Sequence, residues 1–311
     1  MECVPNFSEG RDRGKVAALV AAMNDSKGAW VLDVHADRDH NRSVVTMAGE
    51  PQPVLEAALH GVAVAAQGID LRHHQGGHPR IGAIDVLPFV PIDGVSMQNC
   101  VALARRAGEE IWTRYKIPVY LYEEAALRPE RKRLESVRSG EFEFLRDEAL
   151  RNADRAPDIG GPALHPSAGA VAVGARKFLI AYNINLNTPD VSVAKKIARA
   201  VRASSGGLPH VKAIGVELKE RKLAQVSMNL TDFEETSMRR VFDAVRLEAE
   251  VNGCAIHSSE IVGLVPRKAL GPGDAAYLQL ENFSPAEKIL EARLKARINE
   301  EAPAGIPLRS V

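Results

Sequence analysis

The chain has only three cysteines, Cys3, Cys100 and Cys254, odd in number and far apart. A disulfide framework or a zinc cluster needs paired or clustered thiols, so both are disfavoured and a reducing compartment is expected. Excess charge of either sign is also missing: forty Lys and Arg face forty Asp and Glu. Without a global field there is nothing to draw in nucleic acid or an anionic membrane, and any anionic ligand has to be held locally. No window approaches the roughly 20 apolar residues of a membrane span. The N-terminus runs into a polar, charged segment with no apolar signal core. These absences predict a soluble cytoplasmic protein, with neither nucleic acid nor membrane as partner.

What is present starts with length. At 311 residues the chain suggests about two domains, each able to bury its own core. Its most distinctive stretch runs from His73 to Phe89, where His73, His74 and His78 precede an apolar run that reads as a buried strand. Gly76 and Gly77 allow unusual dihedrals and close approach, and Pro79 fixes the backbone after His78. The loop therefore presents an imidazole at the mouth of a rigid element. Three uses are open on the residues alone. His78 can serve as a general acid and base, because its unperturbed pKa lies near neutrality. His74 and His78 with a carboxylate such as Asp85 can hold a metal, although no HExxH helix or cysteine pair supports that. A polar loop whose histidines bond only to backbone is the plain alternative.

In chain order the pattern predicts, within residues 2–10, a short strand ending in a polar loop that carries Asn6, Ser8 and Glu9, then a helix over 16–23. Asn6, Ser8 and Glu9 can bind a polar substrate or cap that helix. A hairpin follows, with strands at 30–34 and 43–47 and the charged tip Asp37-Arg38-Asp39-His40-Asn41-Arg42. Arg42 stands out, since a guanidinium at a strand start can pair bidentately with a carboxylate. An Ala-rich helix over 54–69, the strand 83–90, a helix over 97–112 and a strand over 119–122 complete this part. Residues 123–156 are charge-rich and read as helical cover rather than core. The Gly/Pro-rich stretch from Pro157 to Gly169 has the composition of a domain linker or of a loop that wraps a ligand, and composition favours the linker.

The order of elements then returns: a strand over 177–186, a helix over 191–202, a hairpin over 211–230, a helix over 238–251 and a strand over 261–266, with a last helix over 285–296. Two βαββαβ units predict the α+β class, antiparallel sheet with helices on one face. Similarity between the halves at the residue level is weak.

Six motifs in order, Glu2-Cys-Val-Pro-Asn-Phe-Ser-Glu-Gly10, His74-Gln-Gly-Gly-His-Pro-Arg-Ile-Gly82, Pro118-Val-Tyr-Leu-Tyr122, Gly174-Ala-Arg-Lys-Phe-Leu-Ile180, Asn183-Ile-Asn-Leu186 and Gly263-Leu-Val-Pro266, resemble those of the glutamate formiminotransferases. The resemblance covers residues 2 to about 270. It has no counterpart to the cyclodeaminase half of the bifunctional animal enzymes. It implies transfer of a formimino group from N-formimino-L-glutamate to N5 of tetrahydrofolate as co-substrate, in histidine degradation and one-carbon metabolism. It also implies a homodimer, and two ferredoxin-like subdomains, 1–170 and 171–300, with a ligand groove between them and a tail over 301–311.

By the same resemblance the catalytic histidine falls on His78. The folate-binding stretch falls on Gly160, Gly161, Pro162, Ala163, Leu164, His165, Pro166, Ser167, Ala168 and Gly169, which reverses the preference for a linker. Candidate substrate-binding residues are Asn6, Asp37, Arg42 and Arg80, the two arginines suiting carboxylates of glutamate or of the folate tail. Asp37, Asp39 or Glu9 can orient the cationic amidine. The chain departs from the animal enzymes in having His35 in place of an aspartate and Ala168 in place of an aromatic residue. Two alternatives stay open: a formyl-group transferase on the same scaffold, and a folate-binding protein without catalysis.

Overall fold

A computed structural model describes residues 1–301; the tail expected over 301–311 lies outside the described residues except for Glu301. The elements run β1 (Glu2–Cys3), β2 (Asn6–Phe7), α1 (Arg13–Asn24), β3 (Ala29–Asp37), β4 (Arg42–Gly49), α2 (Pro51–Gly68), β5 (Ile84–Val90), α3 (Met97–Tyr115), β6 (Val119–Glu123), α4 (Leu134–Val137), α5 (Glu141–Arg151) and β7 (Val171–Ala175). They continue with β8 (Ile180–Leu186), α6 (Val191–Val201), β9 (Val211–Leu218), β10 (Leu223–Leu230), α7 (Met238–Val251), β11 (Ile256–Val262), α8 (Asp274–Tyr277), α9 (Pro285–Lys288) and α10 (Leu290–Glu301). The chain divides into two compact units, Met1–Arg176 and the part from Lys177 onward.

In the first unit the expected single N-terminal strand is broken into β1 and β2, because Pro5 between them has no N–H to give. Both pieces lie between β4 and β5. The sheet then runs β3, β4, β1 with β2, β5, β7 and β6. The sequence reading assigned no strand to Val171–Ala175, yet this run of small apolar residues is fully buried and pairs in parallel with both β5 and β6. That insertion moves the break between units from the expected 170/171 to 176/177.

Strand alternation gives the first sheet two cores. Val119, Leu121, Val171 and Val173 join residues of α2 and α3 in one apolar cluster. Tyr120, Tyr122, Ala170 and Ala172 join Phe142, Leu145 and Ala149 of α5 in another. The charge-rich segment is thus more than the cover expected: its apolar stripe seals the second face, and Arg131 of the same segment is buried against the Tyr120 ring.

The second unit is antiparallel throughout, in the order β11, β8, β10, β9. Register puts Ala224, Val226, Met228 and Leu230 opposite Leu186, Ile184, Tyr182 and Ile180, so one face is apolar, and α6 and α7 pack against the sheet. The opposite face is polar and tightly bonded. Asn185 Nδ2 donates to Ser258 Oγ (3.0 Å), while Gln225 Nε2 donates to Asn185 Oδ1 (2.9 Å) and Glu260 Oε1 (3.0 Å). This network explains why β11 begins at Ile256, earlier than the apolar run at 261 suggested: His257-Ser258-Ser259-Glu260 is a polar-faced strand. It ends at Val262 because Gly263 takes a φ of 75°.

Both units place the hairpin outside the first strand and the fourth strand on its other side, β3-β4-β1/β2-β5 and β9-β10-β8-β11. The repeat, faint in the residues, is plain in the pairing. Close packing in the second unit rests on Gly215, where an added Cβ would lie 2.4 Å from the Lys195 backbone nitrogen in α6. Backbone cannot swing aside, so Gly215→Ala is expected to cost about 1–3 kcal/mol. Urea denaturation checks this, and an unchanged midpoint would refute the close approach.

Candidate active site

The site is assembled where the β3–β4 hairpin tip meets the loop between α2 and β5. Asp37 builds the tip. Its Oδ1 accepts from the backbone N–H groups of Asp39 and His40 (2.8 Å each), and its Oδ2 faces His40 Nδ1 at 3.0 Å. Asn41, buried and at a φ of 49°, then locks three segments together. Its Nδ2 donates to Gln75 O (3.0 Å) and its Oδ1 accepts from Gly10 N (3.0 Å). Neither Gly76 nor Gly77 takes a positive φ, contrary to expectation. Gly76 is needed for space instead: a Cβ there would sit 2.2 Å from His40 O.

His78 emerges from this seam half-buried. Its Nδ1–H donates to Pro79 O (2.7 Å), and its Nε2 accepts from Arg42 Nη1 (2.7 Å). A carbonyl can only accept and a guanidinium can only donate, so the ring is neutral with its proton on Nδ1 and its lone pair on Nε2. Burial above all, then the positive charges of Arg42 and Arg138, push its pKa down to about 3. The near-neutral imidazole expected from its unperturbed value is therefore corrected: the ring sits in a desolvated, cationic surrounding.

Arg42 begins β4, as the sequence placed it. Burial, with Arg138 as a secondary cause, lowers its pKa to about 10. Its Nε is buried without a hydrogen-bond partner, and among the described residues it has no carboxylate at ion-pair distance. The neighbouring cations differ. Arg138 pairs with Asp85, whose Oδ1 also accepts from Ile81 N (2.9 Å). Arg80 is buried and pairs with Glu143 (2.7 Å) and Glu141 (3.2 Å), while its Nε donates to His74 Nδ1 (3.0 Å). His74 Nε2–H in turn donates to Asn41 O (2.9 Å). Arg80 and His74 thus brace the loop from beneath, with their polar atoms taken.

The other candidates are spread around this centre. Asn6 turns its amide onto Val4 O (2.8 Å), and Ser8 donates to Gly82 O (2.7 Å). Glu9 accepts from the backbone of Arg11 and Asp12 (2.9 Å each), and the helix cap falls to Asp12. His35 lies exposed on edge strand β3. Ser8, His40, Asn41, Arg42, His74, His78, Arg80 and Asp85 line one narrow cleft.

The stretch Gly160–Gly169 is no linker, since it lies wholly inside the first unit. Gly160, at a φ of 74°, backs onto Trp112, where a Cβ would lie 2.3 Å from the ring. The Gly161–Pro162 peptide is cis. Its far end is stitched to the histidine segment: Ala83 N donates to Ala168 O (2.9 Å), Ala170 N to Ile81 O (2.9 Å), and Leu71 N to Ser167 O (2.8 Å). His165 Nδ1 accepts from Ala168 N (3.0 Å). Ala168 is fully buried, and Gly160, Pro162, Ala163 and Pro166 form the exposed edge.

Sequence reading missed Arg138, Glu143, His40 and Asn41 as parts of this site. Arg138 and Glu143 sit in a charge-rich segment with no local mark, and only the second core of the sheet brings them under the loop. Asn41 carried a faint signal as a turn-forming residue next to Arg42.

Comparison with known proteins matches residues 1–176 to the formiminotransferase domain, N-terminal subdomain, and residues 181–298 to the formiminotransferase domain. A glutamate formimidoyltransferase of Streptococcus pyogenes serotype M1 is 45% identical over 294 residues, covering 94% of this chain and 98% of that protein. One from Thermoplasma acidophilum is 45% identical over 302 residues, covering 97% and 99%. The formimidoyltransferase-cyclodeaminase of Mus musculus is 43% identical over 305 residues, covering 96% of this chain and 56% of that protein.

The His78 environment has a pH signature. With the folded pKa below the ordinary 6.5, the unfolded chain binds a proton that the folded chain refuses. This group's stabilising contribution is full above about pH 6.5 and declines as pH falls from there toward about 3. Two-bond ¹H–¹⁵N spectra should show a neutral ring protonated on Nδ1 at about pH 5; an imidazolium there would contradict the site as described.

Proposed function

The chain belongs to the formiminotransferase family, and from that premise we propose that it transfers the formimino group of N-formimino-L-glutamate to N5 of tetrahydrofolate, releasing glutamate. N5 attacks the formimino carbon, the new C–N bond forms, and the bond from that carbon to the glutamate nitrogen breaks. One proton leaves N5 and one reaches the departing nitrogen. His78 is the shuttle in this reading. The observation that carries it is a half-buried imidazole whose one lone pair, on Nε2, meets the Arg42 guanidinium at a narrow cleft beside the seam to Gly160–Gly169.

Arg42, a cation without an acid of its own, takes a carboxylate of the glutamate moiety. Asp37 holds the hairpin tip through His40 and the backbone, and its negative charge, felt at Arg42, serves the cationic amidine in this reading. The exposed edge of residues 160–169 receives the folate, with no ring stacked on the buried Ala168. Arg80 and Asn6 act by bracing the loops, given where their polar atoms already go. The strand order of each unit supports two ferredoxin-like halves. Among the described residues no helix is long and apolar enough to cross a membrane. The reading includes a cytoplasmic homodimer serving histidine degradation and one-carbon metabolism.

Positioned acid–base help contributes typically ~10²–10⁴-fold, so His78→Ala should lower kcat by about that factor while tetrahydrofolate affinity changes little. Single-turnover assays with titration of folate binding measure both. A variant that keeps full kcat would remove His78 from the chemistry. Offered side by side, formiminoglutamate should be used and formylglutamate rejected. Transfer from formylglutamate alone would establish a formyl transferase instead, and tight folate binding with no turnover of either donor would establish a binding protein.

A further inference from the structure

We propose that Arg42 is a removable cap on His78: a carboxylate of the amino-acid donor draws the guanidinium off Nε2, and the imidazole becomes a usable base only with that substrate in place. The inference rests on the function proposed above and deepens it by tying base strength to donor binding.

The geometry supplies the cap. Arg42 Nη1 stands 2.7 Å from His78 Nε2 and donates to it, so the ring's only lone pair is already engaged. The opposite nitrogen is fixed by Pro79 O, which leaves no second basic position on the ring. In this arrangement His78 offers no free lone pair to the proton on N5 of a reduced folate.

Arg42 is also the cation of the cluster equipped to move. Arg80 is held by Glu143 and Glu141, and Arg138 by Asp85. Arg42 has only the neutral ring, and its Nε is buried with nothing to donate to. A carboxylate fits that deficit, since it can accept two parallel N–H groups of one guanidinium, and charge-assisted pairs of this kind are roughly twice as strong as neutral ones. Exchanging an imidazole for a carboxylate is therefore favourable for Arg42. An incoming carboxylate meets a cation that no carboxylate among the described residues pairs, and an unfilled donor on it.

The consequences for His78 follow from what faces it. Arg42 and Arg138 approach it as positive charges, the second neutralised at close range by Asp85. His40 stands edge-on, with ring centroids 6.1 Å apart, and is itself bonded to Asp37. Once Arg42 is paired with a carboxylate, the net positive charge against the ring falls and Nε2 is exposed to the cleft. The ring can then take the N5 proton and pass it to the departing nitrogen. Binding folate alone leaves the base covered, so chemistry waits for the donor.

The test follows the His78 ring by two-bond ¹H–¹⁵N spectra of the whole protein, with and without saturating glutarate, a dicarboxylate with no formimino group to transfer. Glutarate is expected to raise the apparent His78 pKa by at least about one unit, a tenfold change in its protonation equilibrium. Sodium chloride at equal ionic strength should produce no comparable rise. In Arg42→Gln the ring should titrate higher than in the wild type, still below its ordinary value because burial and Arg138 remain, and should stop responding to glutarate, with KM for formiminoglutamate raised and the acid limb of the kcat profile displaced. Three results would overturn the cap: glutarate that binds without moving His78, glutarate that does not bind at all, or an equal shift with chloride. Should Arg42→Gln fail to fold, the wild-type titration decides alone. Failure of the functional reading shows separately, as absence of turnover with either donor whatever the ring does.

Discussion

The hydrogen bond from Arg42 to His78 is the contact on which the site depends, because it joins two segments that sequence keeps 36 positions apart and settles the protonation of both. A guanidinium has no lone pair, so the imidazole must accept, and the Pro79 carbonyl must receive the remaining ring proton. Tautomer, charge and orientation of His78 then follow from two neighbours. The same bond holds a positive charge against a desolvated ring, which is why the histidine is a far weaker base here than in water.

Around that contact the charges are arranged in a definite way. Arg80 and Arg138 are each taken by carboxylates, and both of those pairs tie the charge-rich segment of the first unit to the histidine loop. Their effect is mechanical: they fix the loop and the start of β5. Burial of a paired charge can be neutral for stability while breaking the pair is costly, so such bracing is sensitive to loss of either partner. Among the described residues Arg42 lies beside these pairs without a carboxylate at ion-pair distance, so in a chain of balanced composition one buried cation is left with a neutral ring as its partner.

Legibility in the sequence divided along the same line. Periodicity sufficed for the helices over 54–69, 97–112 and 238–251 and for both hairpins, since each buries a face whose apolar spacing is local. It failed for Val171–Ala175, where small residues buried on both faces show no alternation, and for Ile256–Val262, where one face carries an amide and carboxylate network. In the site, the histidine loop, Arg42 and the 160–169 stretch were visible from residue type and motif. Arg138 and Glu143 were not, because a charge in a charge-rich helix gives no sign of which cation or acid it will meet.

The sequence by itself determined the family, the two-unit α+β plan and the identity of the titratable group, because these rest on motifs, local periodicity and residue chemistry. Only the tertiary structure decided that Gly160–Gly169 is stitched to the histidine segment, that Arg80 braces while Arg42 has no carboxylate partner among the described residues, and that His78 is neutral with its lone pair covered. Those properties arise from distances between remote residues and from burial, and a pKa or a free donor is a property of such an environment, not of a residue type.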